Sequence, residues 1–149
     1  MPDESLWRRL TFRERFGAIA YCLAVAAVLG LAATLTPDER GLGTHEQLGL
    51  GSCQMVLLFG IPCMFCGMTT TFALIMHGDF LDGILNQPVG ALIALYSIIS
   101  IMFFGVFGVS GKIPRGIGFH LINGRRVIGA LSVLSLGWVY KLIAFFMVT

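Results

Sequence analysis

Three long runs of apolar residues dominate the pattern of the chain. Phe16 to Leu35 and Val89 to Val109 contain no charged residue, and Val127 to Thr149 has Lys141 as its single charged residue. About 20 apolar residues in a helix cross the hydrocarbon core of a bilayer, which is roughly 30 Å thick. Each run therefore predicts a transmembrane helix. The first run is also too long for the apolar part of a cleaved signal peptide, so we expect it to be retained as a membrane span.

A fourth apolar segment, Gln54 to Met76, is interrupted by Gly60 and Pro62. Proline is favoured in the first turn of a helix and glycine at its end, so the segment predicts a helix from Pro62 to His77 or Gly78. Such a helix of about 15 residues is roughly 22 Å long, which is short for a span. The sequence therefore predicts a re-entrant or interfacial helix here, followed by a short polar break before the second long run.

The distribution of charge favours the same topology. One basic cluster precedes the first long run and another lies between the last two: Arg8, Arg9, Arg13 and Arg15, then Lys112, Arg115, Arg125 and Arg126. The region between them is mainly acidic and has Arg40 as its single basic residue. The positive-inside rule places both clusters, and the N-terminus, in the cytoplasm if three helices span the membrane. A four-helix transmembrane bundle is the alternative, and it would put the second cluster outside.

Composition fits a single membrane domain covering residues 1–149. Of these residues 56% are hydrophobic and only 12% are charged, and the net charge of +2 gives no indication of nucleic-acid binding. The chain contains no phosphate-binding loop, no hydrolase motif and no carboxylate inside a span, which argues against an ATPase, a hydrolase and an ion-coupled transporter. The expected partners are the lipid bilayer and, because glycines in the spans permit close helix packing, other membrane protein subunits.

Three of the four cysteines lie near one another in the sequence. Cys63 and Cys66 are three residues apart in the predicted short helix, Cys53 lies upstream of them, and Cys22 stands alone in the first apolar run. At 100° per residue, one narrow stripe of the short helix contains Cys63, Cys66, Thr70 and His77. The dipole and the free N–H groups of a first helical turn favour the thiolate, which is the form that binds metals and attacks disulfides.

These residues indicate a thiolate metal site. A Cys-x-x-Cys pair can bind one ion through two sulfurs, and Cys53 and the loop residue His45 would complete a Cys₃His set that suits tetrahedral zinc. The protein would then be a non-enzymatic binding or assembly component whose cysteine site fixes the loop before the short helix.

Other interpretations of the cysteines remain open at this point. The main alternative is a membrane thiol-disulfide oxidoreductase in which Cys63 attacks and Cys66 resolves. The chain shows no second redox group to pass electrons on, which weighs against an enzyme. A structural disulfide, and cysteines that merely fill a tight bend, are also compatible with the spacing.

Two further polar residues have simpler predicted roles. Lys141 lies beside Trp138 and Tyr140 inside the last apolar run. We expect it to extend its ammonium group to the membrane interface within an aromatic belt. His77 lies at the far end of the short helix from Cys63, so we expect it to cap the helix rather than to share an ion with the cysteines.

The region from Thr44 to Tyr96 resembles a family of small bacterial membrane proteins, the domain of unknown function 2752. The resemblance rests on a cysteine upstream of a Pro-Cys-x-x-Cys-Gly-x-Thr run and on two turns that follow it: Cys53, Pro62 to Thr69, His77 to Asp79, and Asn86 to Pro88. Met64 departs from the family pattern, which usually has proline there. The resemblance implies a multi-pass protein of the bacterial inner membrane with a three-cysteine motif, and it implies no activity.

Overall fold

A computed structural model describes residues 7–114 and 124–148 of the chain. Three helices in it are long and apolar enough to cross a membrane: α1 (Phe12–Thr34), α5 (Pro88–Ser110) and α6 (Gly124–Val148), the last over Gly129–Met147. Little of their surface is buried within the protein, so most of their apolar side chains face outward, as in a helix that contacts lipid. The prediction of three full spans is confirmed.

Short helices fill the connection between α1 and α5. They are a 3₁₀ helix (Thr44–Leu48), α2 (Gln54–Phe59), α3 (Met68–His77) and α4 (Phe80–Asn86). None of them is long enough by itself to cross a bilayer. The alternative of four spanning helices is therefore not the one adopted.

The predicted start of the short helix at Pro62 is wrong, because α3 begins at Met68, whereas its predicted end at His77, with Gly78 as the cap, is confirmed. Residues 54–77 form two helices, because Gly60 ends α2 at a φ of 67° and Gly67 precedes α3 at a φ of 84°. Both values are left-handed, which glycine adopts at no steric cost and which a continuous helix cannot contain. The polar stretch after His77 folds into α4, which packs against α3 and α5.

The N-terminal end of α1 and the C-terminal end of α5 are joined at the end of the molecule that carries the N-terminal basic residues. A two-stranded antiparallel sheet pairs β1 (Trp7–Arg9) with β2 (Lys112–Pro114). Arg15 donates from Nε to the carbonyl oxygen of Gly108 at 3.1 Å and from a guanidinium nitrogen to that of Val109 at 3.2 Å. These bonds satisfy carbonyl groups that a helix C-terminus leaves unpaired. The N-terminal basic cluster and Lys112 therefore lie at one end of the helix pair, whereas Arg115 lies outside the described residues.

At the other end, the short helices pack between α1, α5 and α6. Thr44 and Thr70 are both buried and joined by a 2.9 Å hydrogen bond, which holds the 3₁₀ helix on α3. Trp138 and Tyr140 of α6 do not form a free aromatic belt. Each donates a hydrogen bond to the short-helix layer, Trp138 to the Pro62 carbonyl at 3.0 Å and Tyr140 to the Leu85 carbonyl at 2.6 Å. The short-helix layer is thus held to α6 by hydrogen bonds on both sides of α3.

Candidate metal centre

The fold brings Cys53, Cys63 and Cys66 to one place. Cys53 is the N-cap residue of α2, and the reversal after Gly60 returns the chain so that Cys63 and Cys66 lie beside it. The three sulfur atoms are all within 4.8 Å of one another. Cys66 is buried, whereas Cys53 and Cys63 are partly exposed, so the cluster is open on one side.

A pair of tight turns orients Cys63 and Cys66. The backbone N–H of Cys66 donates to the Cys63 carbonyl at 3.0 Å, and the N–H of Met68 donates to the Phe65 carbonyl at 3.1 Å. Consecutive turns of this kind bring residues three apart onto the same side, as in one turn of a helix. The two sulfurs therefore converge although α3 begins only after them.

Side chains from other helices hold this turn from outside. Gln87, at the junction of α4 and α5, donates from Nε2 to the Met64 carbonyl at 3.2 Å, and the indole N–H of Trp138 reaches the Pro62 carbonyl. Gln87 is almost fully buried, and its Oε1 accepts no hydrogen bond from the described residues. Sequence reasoning used neither residue as part of the site, and the Asn-Gln-Pro turn before α5 was the signal that could have indicated Gln87.

Gly67 occupies a position that no other residue would fit. Its φ of 84° is left-handed, and a Cβ atom there would lie 2.6 Å from the Gly41 carbonyl oxygen and 2.9 Å from Lys141 Nζ. Contacts closer than 3.0 Å require the neighbouring atoms to move, and the first of these atoms is backbone. Gly67 therefore allows the loop that contains Gly41, the start of α3 and Lys141 of α6 to meet next to Cys66.

Lys141 does not extend to the membrane interface, and the prediction that it does is wrong. Its side chain is 5% exposed, and Nζ donates to Asn86 Oδ1 at 2.7 Å, to the Gly41 carbonyl at 3.0 Å and to the Asn86 carbonyl at 3.3 Å. The short helices cover this part of α6, so the lysine meets acceptors inside the protein before it can reach water.

The thiols of Cys53 and Cys66 differ in acidity. Burial raises the pKa of Cys53, but hydrogen bonding from the backbone N–H of Val56 and from the Cys66 thiol outweighs it, and the pKa falls to about 7. Burial raises the pKa of Cys66 well above its usual value. The expected stabilisation of a thiolate at a helix start therefore applies to Cys53 at the start of α2, whereas Cys66 lies before α3 and is buried.

This set of donors fits a thiophilic metal ion. Zinc–thiolate bonds of about 2.3 Å put the sulfurs of one ion roughly 3.8–4.0 Å apart, so sulfurs within 4.8 Å need only a small inward movement. Three thiolates at this separation would repel one another, and a bound cation removes that repulsion. Thiolate ligands favour zinc or monovalent copper over calcium and magnesium.

The two histidines considered in the sequence lie elsewhere. His45 is half-buried in the 3₁₀ helix, and its ring nitrogens are not part of the group of ligand atoms within 4.8 Å. Its role as a ligand stays a prediction. His77 Nδ1 is 2.8 Å from the Ala73 carbonyl in the last turn of α3, so this histidine pairs with a carbonyl group at the end of its own helix, as expected.

Comparison with known proteins gives one match. The model of a family described as "Protein of unknown function (DUF2752)" matches residues 53–101, from Cys53 to the middle of α5. No curated protein and no solved structure matches the chain. The matched region contains all three clustered cysteines, and it confirms over residues 53–101 the resemblance to the DUF2752 family that the sequence suggested.

Proposed function

We propose that this protein is a non-enzymatic membrane component that binds a thiophilic metal ion, zinc in the first instance, through Cys53, Cys63 and Cys66. The observation that supports this most directly is the convergence of three sulfurs from two separate segments to within 4.8 Å. All three cysteines are free thiols.

The surroundings of the cysteines favour a binding site over simple packing. Small side chains that only fill space need apolar neighbours, whereas the turn around Cys63 and Cys66 is held by polar groups of two other helices, Gln87 and Trp138. Two of the three sulfurs are also partly exposed, so an ion can enter. A site with three protein ligands and an accessible face leaves a position for water, for His45 or for a ligand from a partner.

A thiol-disulfide oxidoreductase is the competing function, with Cys63 and Cys66 as its redox pair. Such an enzyme needs a second redox group for its electrons, and the sequence contains no motif for one. It also needs two sulfurs rather than three in mutual proximity. The metal site uses every member of the cluster, and this is why we prefer it.

The location of the site suggests from which side of the membrane the metal ion would reach it. The basic end of the α1–α5 pair carries the two-stranded sheet, and the cysteines lie in the short-helix layer at the opposite end. With the basic end in the cytoplasm of a bacterial inner membrane, the cluster faces the extracytoplasmic side. In our proposal the protein presents a metal-stabilised surface there to other membrane subunits.

Elemental analysis of the protein purified in detergent tests the proposal. We expect about one zinc or copper ion per chain, and three thiols that become reactive only after denaturation in chelator. Serine replacements of Cys53, Cys63 or Cys66 should each weaken metal binding, so that the variants lose their ion to a chelator that leaves the wild type loaded. Cys22→Ser is the matched control, because Cys22 lies in α1 and only approaches the Ile101 carbonyl at 3.7 Å. A protein without metal, in which two thiols appear only after reduction, would instead establish the redox pair.

A further inference from the structure

Lys141 is a buried cation without a carboxylate partner among the described residues. The ion pairs in that part of the chain join Arg8 to Glu14 and Arg40 to Asp38 and Glu46, and none involves Lys141. The lysine is nevertheless 5% exposed and is the one charged residue in the apolar part of α6, Gly129–Met147. An unpaired charge in such a place is costly, and buried charges in proteins are normally paired or bound to metal sites.

The hydrogen-bond partners of Lys141 suit a protonated amine. A neutral amine has two N–H groups, whereas Nζ faces three acceptors, the two carbonyl oxygens of Gly41 and Asn86 and the side-chain oxygen Asn86 Oδ1. Asn86 cannot turn its amide nitrogen toward the lysine, because Nδ2 donates to the Gly67 carbonyl at 3.1 Å and to Thr71 Oγ1 at 2.9 Å. The site is therefore arranged for an ammonium group, and all three of its acceptors are formally neutral.

The cysteine cluster is a potential source of compensating negative charge close to Lys141. Nζ would lie 2.9 Å from a Cβ atom on Gly67, the residue that follows Cys66. The charge of Lys141 also interacts electrostatically with the Cys66 sulfur. The ammonium group thus lies beside the residue that follows Cys66, the most buried of the three cysteines.

We propose that Lys141 is the counter-ion of an anionic metal–thiolate complex, which rests on the proposed function of the cluster. Three thiolates and a divalent ion carry a net charge of −1, and three thiolates and a monovalent ion carry −2. Each thiol that is still protonated when it coordinates the ion releases its proton to solvent, so binding makes the cluster more negative. The site is thereby suited to thiophilic cations of charge +1 or +2, and Lys141 acts as a positioning and charge-compensating residue rather than a ligand.

Competition titrations with Cd²⁺ and Cu⁺, against chelators of known affinity, test the proposal on three proteins: the wild type, Lys141→Met and Asn86→Asp. Methionine keeps the apolar stem and removes the charge. Aspartate leaves Lys141 in place and supplies a carboxylate that neutralises it. Lys112→Met, which removes an exposed charge at the opposite end of the molecule, is the control. Helix content and the stoichiometry of binding are measured on each sample.

The two metals separate a charge effect from a structural one. If the ammonium group compensates the complex, both site variants bind Cd²⁺ about tenfold more weakly and Cu⁺ about a hundredfold more weakly, because the Coulomb interaction doubles with the charge of the complex. A loss of the same factor for both metals, or no loss, would overturn the proposal while the metal site stands. A wild-type protein that binds neither ion would overturn the metal site and this inference together.

Discussion

The substitution Gly67→Ala, which adds one methyl group beside Cys66, is a sharp test of the geometry of the site. In Gly67→Ala, the left-handed backbone costs about 1–2 kcal/mol. The new Cβ would also lie 2.6 Å from the Gly41 carbonyl oxygen and close to Lys141. Forcing an atom into an occupied space typically costs a further 1–3 kcal/mol or so. We therefore expect a total destabilisation of about 2–5 kcal/mol and a displaced Cys66 sulfur.

Gly78→Ala provides the matched control for this substitution. Gly78 has a φ of 92° at the end of α3, and a Cβ atom there would meet nothing within 4 Å, so this variant shows the backbone cost alone. Reversible unfolding in mixed micelles measures both free energies of unfolding, and metal stoichiometry is measured on the same samples. We expect Gly78→Ala to keep its metal and Gly67→Ala to lose it. Equal destabilisation of the two variants, with metal retained in both, would refute the close approach at Gly67.

Three further predictions concern single residues around the cluster. His45→Ala should keep metal affinity within about threefold of the wild type in a chelator competition, because the ring lies outside the sulfur group; a much larger loss would make His45 the fourth ligand. Since the pKa of Cys53 is lowered to about 7, Cys53 is half thiolate near pH 7 and increasingly so above it. Iodoacetamide should therefore modify Cys53 before Cys66 in metal-free protein, with a rate that falls about tenfold per pH unit well below pH 7; mass spectrometry that finds Cys66 modified first would contradict this. Trp138→Phe removes the donor to the Pro62 carbonyl and should lower the free energy of unfolding by about 1–3 kcal/mol while weakening metal binding; unchanged values for both would show that α6 does not support the cysteine turn.

The spanning helices could be predicted because they depend on one local property. A run of about 20 apolar residues has few stable arrangements outside a bilayer, whatever its neighbours are. The division of residues 54–77 into two helices is not local in this sense. A glycine can be accommodated within a helix at modest cost, and at Gly67 the left-handed turn allows Gly41 and Lys141, which are distant in sequence, to approach closely.

The cysteines of the candidate site could be predicted from the sequence, but the residues from other helices that hold them in place could not. Cys53, Cys63 and Cys66 are near one another in sequence, so their proximity in space needed only a reversal of the chain. Lys141 is 55 residues from its partner Asn86 and 100 residues from Gly41, and no pattern within α6 indicates which polar groups it would meet. A lysine near an interface normally extends to water, and tertiary packing overrode that tendency here.

X-ray absorption spectroscopy of the zinc-loaded protein tests the central claim most directly, because it counts the sulfur atoms bound to the ion. The account predicts three sulfurs at about 2.3 Å with at most one lighter ligand, and a loss of one sulfur in Cys53→Ser. A zinc ion bound only by nitrogen and oxygen atoms would contradict the account. So would a number of bound sulfurs that stays the same when Cys53 is replaced.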